Sequence, residues 1–185
     1  MKEKFTSDEH FEWRYCEINT ASELISYINK IKDCIVGNSI DNIFIQPEFP
    51  PNRTHIAGYN ILNNNSVECL DLVGPSIIKI DEHLIVFDMF GISNLKISFD
   101  GLFKVVNTDI MYCEVTSLFS KYIIGQKIES IEIVPITQED AKSSEDYCSE
   151  DVLSDDMFQK LVFALENGRK FTIRAIWDYT GIVVE

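Results

Sequence analysis

Residues 36–47 read VGNSIDNIFIQP, and residues 124–135 read IGQKIESIEIVP. Set side by side at an offset of 88 residues, the two stretches share one Gly, three Ile and one Pro. Val/Ile, Asn/Gln and Asp/Glu replace one another at neighbouring positions. The same offset aligns Asn19-Thr20 with Asn107-Thr108, and Phe11-Glu12 with Phe99-Asp100. A recurrence at fixed spacing marks an internal repeat. The expectation is therefore two copies, residues 10–97 and 98–185, of one β-α-β-β-β unit. They would sit in one compact unit of 185 residues, an ordinary length for a domain.

Working outward from the first stretch, each half reads as a mixture of helix and strand. Thr20-Ala21-Ser22-Glu23 has the spacing of a capping box, in which the Thr hydroxyl and the Glu carboxylate satisfy free backbone amides. Leu24, Tyr27/Ile28, Ile31 and Ile35 follow at helical spacing. Gly37 fits the left-handed position beyond a helix end. Ile40, Ile43 and Ile45 start a strand that Pro47, Pro50 and Pro51 stop. Ahead of the helix, Phe11, Trp13 and Tyr15 alternate along 10–18 as a strand's core face would. In the second copy the spacing predicts a helix over 109–123, with Tyr112, Val115/Thr116, Phe119 and Ile123 inward. Gly125 would end it, and a strand over 127–135 would follow.

The rear of each half reads as antiparallel strands. Asn167-Gly168 is a strong hairpin signal and predicts a type I′ turn between the alternating arms Leu161, Phe163, Leu165 and Phe171, Ile173, Ala175. Segments 76–80 and 84–90 flank Asp81-Glu82-His83 in the same manner, and short strands are expected at 94–99 and 181–184. The fold class is α+β, mainly antiparallel sheet with about one helix per half. Residues 48–66, rich in Pro and Asn, read as a long loop with a short strand over 56–62.

Charge disfavours several functions. The chain carries 30 acidic and 16 basic residues, a formal net charge of -14. Nucleic-acid binding requires a basic face, and anionic membranes repel an acidic protein. No apolar run approaches the ~18 residues of a membrane span, and MKEKFTSDEHFEW lacks the apolar centre of a signal peptide. Five scattered cysteines (Cys16, Cys34, Cys69, Cys113, Cys148) form no CxxC pair and read as reduced thiols. The expected address is the cytoplasm. Apolar residues at 45% match a soluble globular chain.

Half of the net charge lies in residues 137–156, TQEDAKSSEDYCSEDVLSDD, with eight acids and one Lys. Such a segment is expected to be a flexible, solvated loop. In a functional reading, Glu139, Asp140, Glu145, Asp146, Glu150, Asp151, Asp155 and Asp156 steer a basic partner protein onto the surface. In the plain reading they keep the protein soluble. The segment lacks the oxygen-ligand spacing of a calcium loop. Trp177 and Tyr179, beside a turn, are interface candidates, since Trp and Tyr are common hot spots.

Catalytic and cofactor motifs are not found. His10, His55 and His83 form no zinc pattern, and the eight glycines include neither a phosphate loop nor a dinucleotide fingerprint. No cofactor and no metal site is expected. Cys34 and Cys113, on expected helices, read as small buried hydrophobes.

The element from Ile124-Gly125 to Ile133 and the hairpin Leu165-Glu166-Asn167-Gly168 resemble those of small, acidic, uncharacterised bacterial proteins. In size, charge and α+β build the chain is similar to several immunity proteins of bacterial toxin–immunity systems. The resemblance implies a binding module that holds a basic toxin domain, and it carries over no individual site residue. The alternatives are a self-associating protein that forms a homodimer through sheet edges, and a hydrolase with carboxylates between the halves.

Overall fold

The computed structural model describes residues 16–45, 55–56, 59–60, 69–72, 76–89, 95–100, 113–135, 158–176 and 179–185. In chain order the elements are β1 (Cys16–Ile18), α1 (Ala21–Ile35), β2 (Ile40–Ile45), β3 (His55–Ile56), β4 (Tyr59–Asn60), β5 (Cys69–Leu72), β6 (Ser76–Ile80) and β7 (His83–Met89). There follow β8 (Leu95–Phe99), β9 (Cys113–Glu114), α2 (Thr116–Phe119), β10 (Ile128–Pro135), β11 (Phe158–Leu165), β12 (Lys170–Ile176) and β13 (Tyr179–Val184). The fold is α+β with antiparallel pairing throughout the described ladders.

Helix α1 forms where its sequence directs. The Glu23 N–H donates to Thr20 Oγ1 (3.2 Å), and the Glu23 carboxylate accepts from the Asn19 N–H (2.8 Å). Two exposed amide donors at the helix start are thereby satisfied. Leu24, Ile28, Ile31 and Ile35 are buried, and Tyr27 packs partly against the same core. At the far end Asn38 Nδ2 donates to the Cys34 carbonyl (2.9 Å), and Gly37 turns the chain at φ 91°.

Two sheets enclose one apolar core. The first has the order β1-β8-β7-β6-β2-β9, and the second the order β10-β11-β12-β13-β5; β3 and β4 pair separately. Register decides what each sheet contributes. Ile43, Ile78 and Ile85 align across the first sheet, and Leu161, Ile173 and Ile182 across the second. All six are buried in the shared core. The Phe87 and Phe163 rings meet edge to face at 6.3 Å, joining the two inner faces. Each such side chain contributes about 1.5–3 kcal/mol by leaving water. A second row, Phe44, Ile77, Val86 and Ser98, is buried on the other face of the first sheet.

The two aligned stretches meet each other. The Gly37 N–H donates to the Ile128 carbonyl (2.8 Å), and the Gly125 N–H donates to the Ile40 carbonyl (2.7 Å). The Ile40 N–H donates to Gln126 (3.2 Å), and the Ile128 N–H donates to Asn38 (3.0 Å). Every bond maps onto another when its residue numbers move by the same offset. Ser39 and Lys127 form the bridge at the centre. Strand order is alike on both sides, β2-β6-β7-β8 and β10-β11-β12-β13. Duplication of the whole unit is not confirmed. α1 has 15 residues and α2 has 4, and β1 flanks β8 where β5 flanks β13.

Two local expectations are corrected. The helix expected over 109–123 is reduced to α2, because Cys113 and Glu114 pair with β2 and the Val115 N–H donates to the Ile43 carbonyl (2.9 Å). Among the described residues, this tertiary strand pairing overrides helical spacing. The Asn167-Gly168 turn is a three-residue loop and not type I′. The Gly168 N–H donates to Leu165, the Leu165 N–H donates to Arg169, and of the two turn residues Gly168 alone has positive φ, 79°. Such a loop, a turn followed by a left-handed Gly, widens the hairpin by one residue. The segment 10–15 with Phe11, Trp13 and Tyr15 lies outside the described residues.

Open space surrounds the positions where a Cβ would stand on Gly37 and Gly125, so substitution meets only the backbone penalty of positive φ. Gly37→Ala and Gly125→Ala should each lose about 1–2 kcal/mol in urea unfolding; one variant as stable as the parent would mean that its turn does not hold that geometry. Ser76 Oγ is buried without a hydrogen-bond partner among the described residues. An unpaired hydroxyl of this kind costs about 1–3 kcal/mol. Ser76→Ala should therefore unfold at the same temperature as the parent or higher, and a clear fall in Tm would reveal a partner for the hydroxyl.

Candidate functional site

The acidic residues singled out from sequence (Glu139, Asp140, Glu145, Asp146, Glu150, Asp151, Asp155 and Asp156) lie outside the described residues, as does Trp177. Tyr179 opens β13, with its backbone opposite Ile176 in β12.

The described residues bring a different group of side chains together at the β6–β7 turn. Asp81, at φ 53°, begins this turn, and its N–H donates to the Ser39 carbonyl (3.1 Å). The turn is thereby tied to the crossing of the two aligned stretches. His83 opens β7. Its Nδ1 lies 2.5 Å from Asp100 Oδ2, while Asp100 Oδ1 accepts from the Leu84 N–H (2.8 Å). Asp100, just past β8, adopts φ 47°, a conformation that Asp tolerates better than most residues. The imidazole also stacks on Phe99 at 5.1 Å. Two contacts therefore fix the ring, the Leu84 N–H holds the carboxylate that makes one of them, and Nε2 is the nitrogen left over for another partner.

This pair is half of an acid–base arrangement: an imidazole and the carboxylate that orients it. Nucleophilic chemistry would need a hydroxyl or thiol at Nε2, and the described hydrogen bonds give His83 the carboxylate as its partner. A structural role accounts for the same contacts, since they close the end of β7 against β8. Sequence reading placed His83 at a hairpin tip but not against Asp100. The 17-residue separation gave no signal, because only the β7–β8 register joins them.

Beside Phe99, Tyr27 of α1 and Cys16 of β1 complete the neighbourhood. Burial raises the Tyr27 phenol above its ordinary value, and charge on Cys16 adds to the rise; a hydrogen bond with the Phe99 backbone opposes both. Cys16 and Cys34 are free thiols, Cys16 exposed and Cys34 half-buried on α1. Cys113 lies on β9 and not on the expected helix. Among the described residues no group of His, Cys, Asp or Glu is arranged to hold a metal ion, and no helix is long and apolar enough to cross a membrane.

The Tyr27 environment has a measurable consequence. A phenol held protonated by the fold contributes stability that is present below the ordinary value of about 10 and is lost as pH rises through the folded-state value. The parent should therefore lose stability in alkali more steeply than Tyr27→Phe, and one phenolate absorbance should appear late and vanish in that variant. Identical alkaline slopes would show that Tyr27 ionises freely.

No protein family, curated protein or solved structure matches the chain.

Proposed function

We propose that the protein is a binding module whose acidic surface receives a basic partner protein, and more specifically an immunity protein that neutralises a basic toxin domain in the cytoplasm. The observation that carries this reading is the charge. A net -14 is distributed so that residues 137–156 hold half of it. Concentrated charge of one sign accelerates encounter with a surface of the other sign and rejects partners of like sign. A toxin domain that acts on nucleic acid needs a basic cleft, and an acidic protein can occupy the place of the phosphates.

Glu139, Asp140, Glu145, Asp146, Glu150, Asp151, Asp155 and Asp156 would supply most of the steering, with Trp177 and Tyr179 as apolar anchors. Changing the eight acids together to Asn and Gln tests this. The parent, used as bait in lysate of its own host, should retain one basic protein at near-equal amount in low salt. At ~0.5 M salt, where the screening length falls to about 4 Å, retention should drop. The neutralised variant should lose the partner at low salt, with unchanged circular dichroism. Equal retention by parent and variant would remove the acidic segment from the interface. Recovery of no basic protein under either condition would overturn the immunity reading.

A further inference from the structure

The corner where the 120–127 turn meets the β11–β12 loop is built differently from the rest of this acidic chain. Lys121, Lys127, Arg169 and Lys170 gather there, four of the 16 basic residues. Tyr122 is their scaffold. The residue is 7% exposed, its carbonyl accepts from Asn167 Nδ2 (2.8 Å), and Arg169 Cζ stands 4.5 Å from the ring centroid. Lys121 Nζ lies 5.4 Å from the same centroid. The two segments are locked by backbone: the Glu166 N–H donates to the Lys127 carbonyl (3.0 Å), and the Lys127 N–H reaches Glu166 Oε1 (3.3 Å). Asn167 Oδ1 accepts from the Arg169 N–H (3.0 Å), fixing the loop from within.

Among the described residues none of these four cations forms an ion pair with a carboxylate, whereas Lys96 pairs with Glu17 at 3.7 Å. Acids that adjoin the corner include Glu129, two residues beyond Lys127, Glu166, whose carboxylate accepts from the Lys127 N–H, and Glu185, whose backbone pairs with Lys170. An aromatic face holds two of the cations, and stacking on a ring leaves the rim of a guanidinium free to donate.

We infer that this corner is a binding site for an acidic polypeptide segment, with carboxylates received by Arg169, Lys121 and Lys127. The inference is independent of the proposed basic partner, since it concerns a ligand of opposite sign. Planar, forked donors suit carboxylates held two-pronged. Long polyanions such as nucleic acid meet the field of the whole molecule, at a net -14. A short acidic peptide meets only charges within the screening length of about 8–10 Å.

The test is titration of the full chain with hexaglutamate, followed through backbone amide shifts, with hexaglutamine and inorganic phosphate as parallel arms. Hexaglutamate should shift the amides of Lys121, Lys127, Gly168, Arg169 and Lys170, reversibly and less in high salt. Lys121→Gln with Arg169→Gln should weaken binding about tenfold or more. Because Arg169 packs on Tyr122, the exposed Lys127→Gln serves as a second variant that leaves the scaffold intact, and it too should weaken binding. Absence of shifts at millimolar hexaglutamate, shifts centred elsewhere, or equal binding by Lys127→Gln and the parent would overturn the inference. Equal shifts with hexaglutamine, or with phosphate alone, would also overturn it, since the site would then not select a carboxylate peptide.

Discussion

Four backbone hydrogen bonds between residues 37–40 and 125–128 hold the centre of this molecule. Each contributes only about 0.5–1.5 kcal/mol net, so their importance is geometric. They end α1, start β2, end the turn after α2 and start β10 within one small region. The pattern requires left-handed backbone at Gly37 and Gly125, with φ of 91° and 77°. Ile35, Ile40, Ile123 and Ile128, all at 0% exposure, surround it. Polar pairing at the backbone and apolar packing at the side chains are satisfied by the same eight or so residues. Neither could be shifted by one position without losing the other.

From that crossing the remaining architecture follows with little freedom. β2 leaves it to head the first sheet and β10 to head the second, so the inner faces oppose each other and close over a single core. Each side also lends the other a strand: β5 pairs with β13 in the second sheet, and β9 pairs with β2 in the first. Cutting the chain between residues 97 and 98 would remove an edge from both sheets. The similarity of strand order therefore describes the arrangement of the halves without making either one self-sufficient.

Legibility in the sequence tracked the range of the interaction. The box Thr20–Glu23, the stripe Leu24, Ile28, Ile31, Ile35 and the Gly37 turn are local, and all three were readable. The repeat drew attention to 36–47 and 124–135, although nothing in either stretch says that they pair with each other. Helical spacing over 109–123 failed where pairing of Cys113-Glu114 with β2 competed, an interaction some 70 residues distant in sequence. β5 was missed for the same reason, as its partner is the last strand. The Asn167-Gly168 hairpin was placed correctly, but its loop type depended on Asn167 reaching back to Tyr122. His83 was legible as a turn residue and illegible as the partner of Asp100.

The sign of the charge and its position carry different information. Summed over the chain, charge sets the field felt at a distance, and here that sum is negative. At contact distance the sum is screened and local arrangement governs. A corner with cations seated on Tyr122 can coexist with a net -14 for that reason. A chain that carries both signs of charge constrains a partner more than one of a single sign. A partner with a single complementary face can slide along a uniformly acidic surface, whereas one that must satisfy both signs has a defined register, because like charges meet when it is misplaced. The crossing of Gly37 with Ile128 and of Gly125 with Ile40 matters to function in this sense. It holds residues 125–128 to residues 37–40, and on that base the Glu166–Lys127 and Asn167–Tyr122 bonds set the β11–β12 loop and with it the cationic corner.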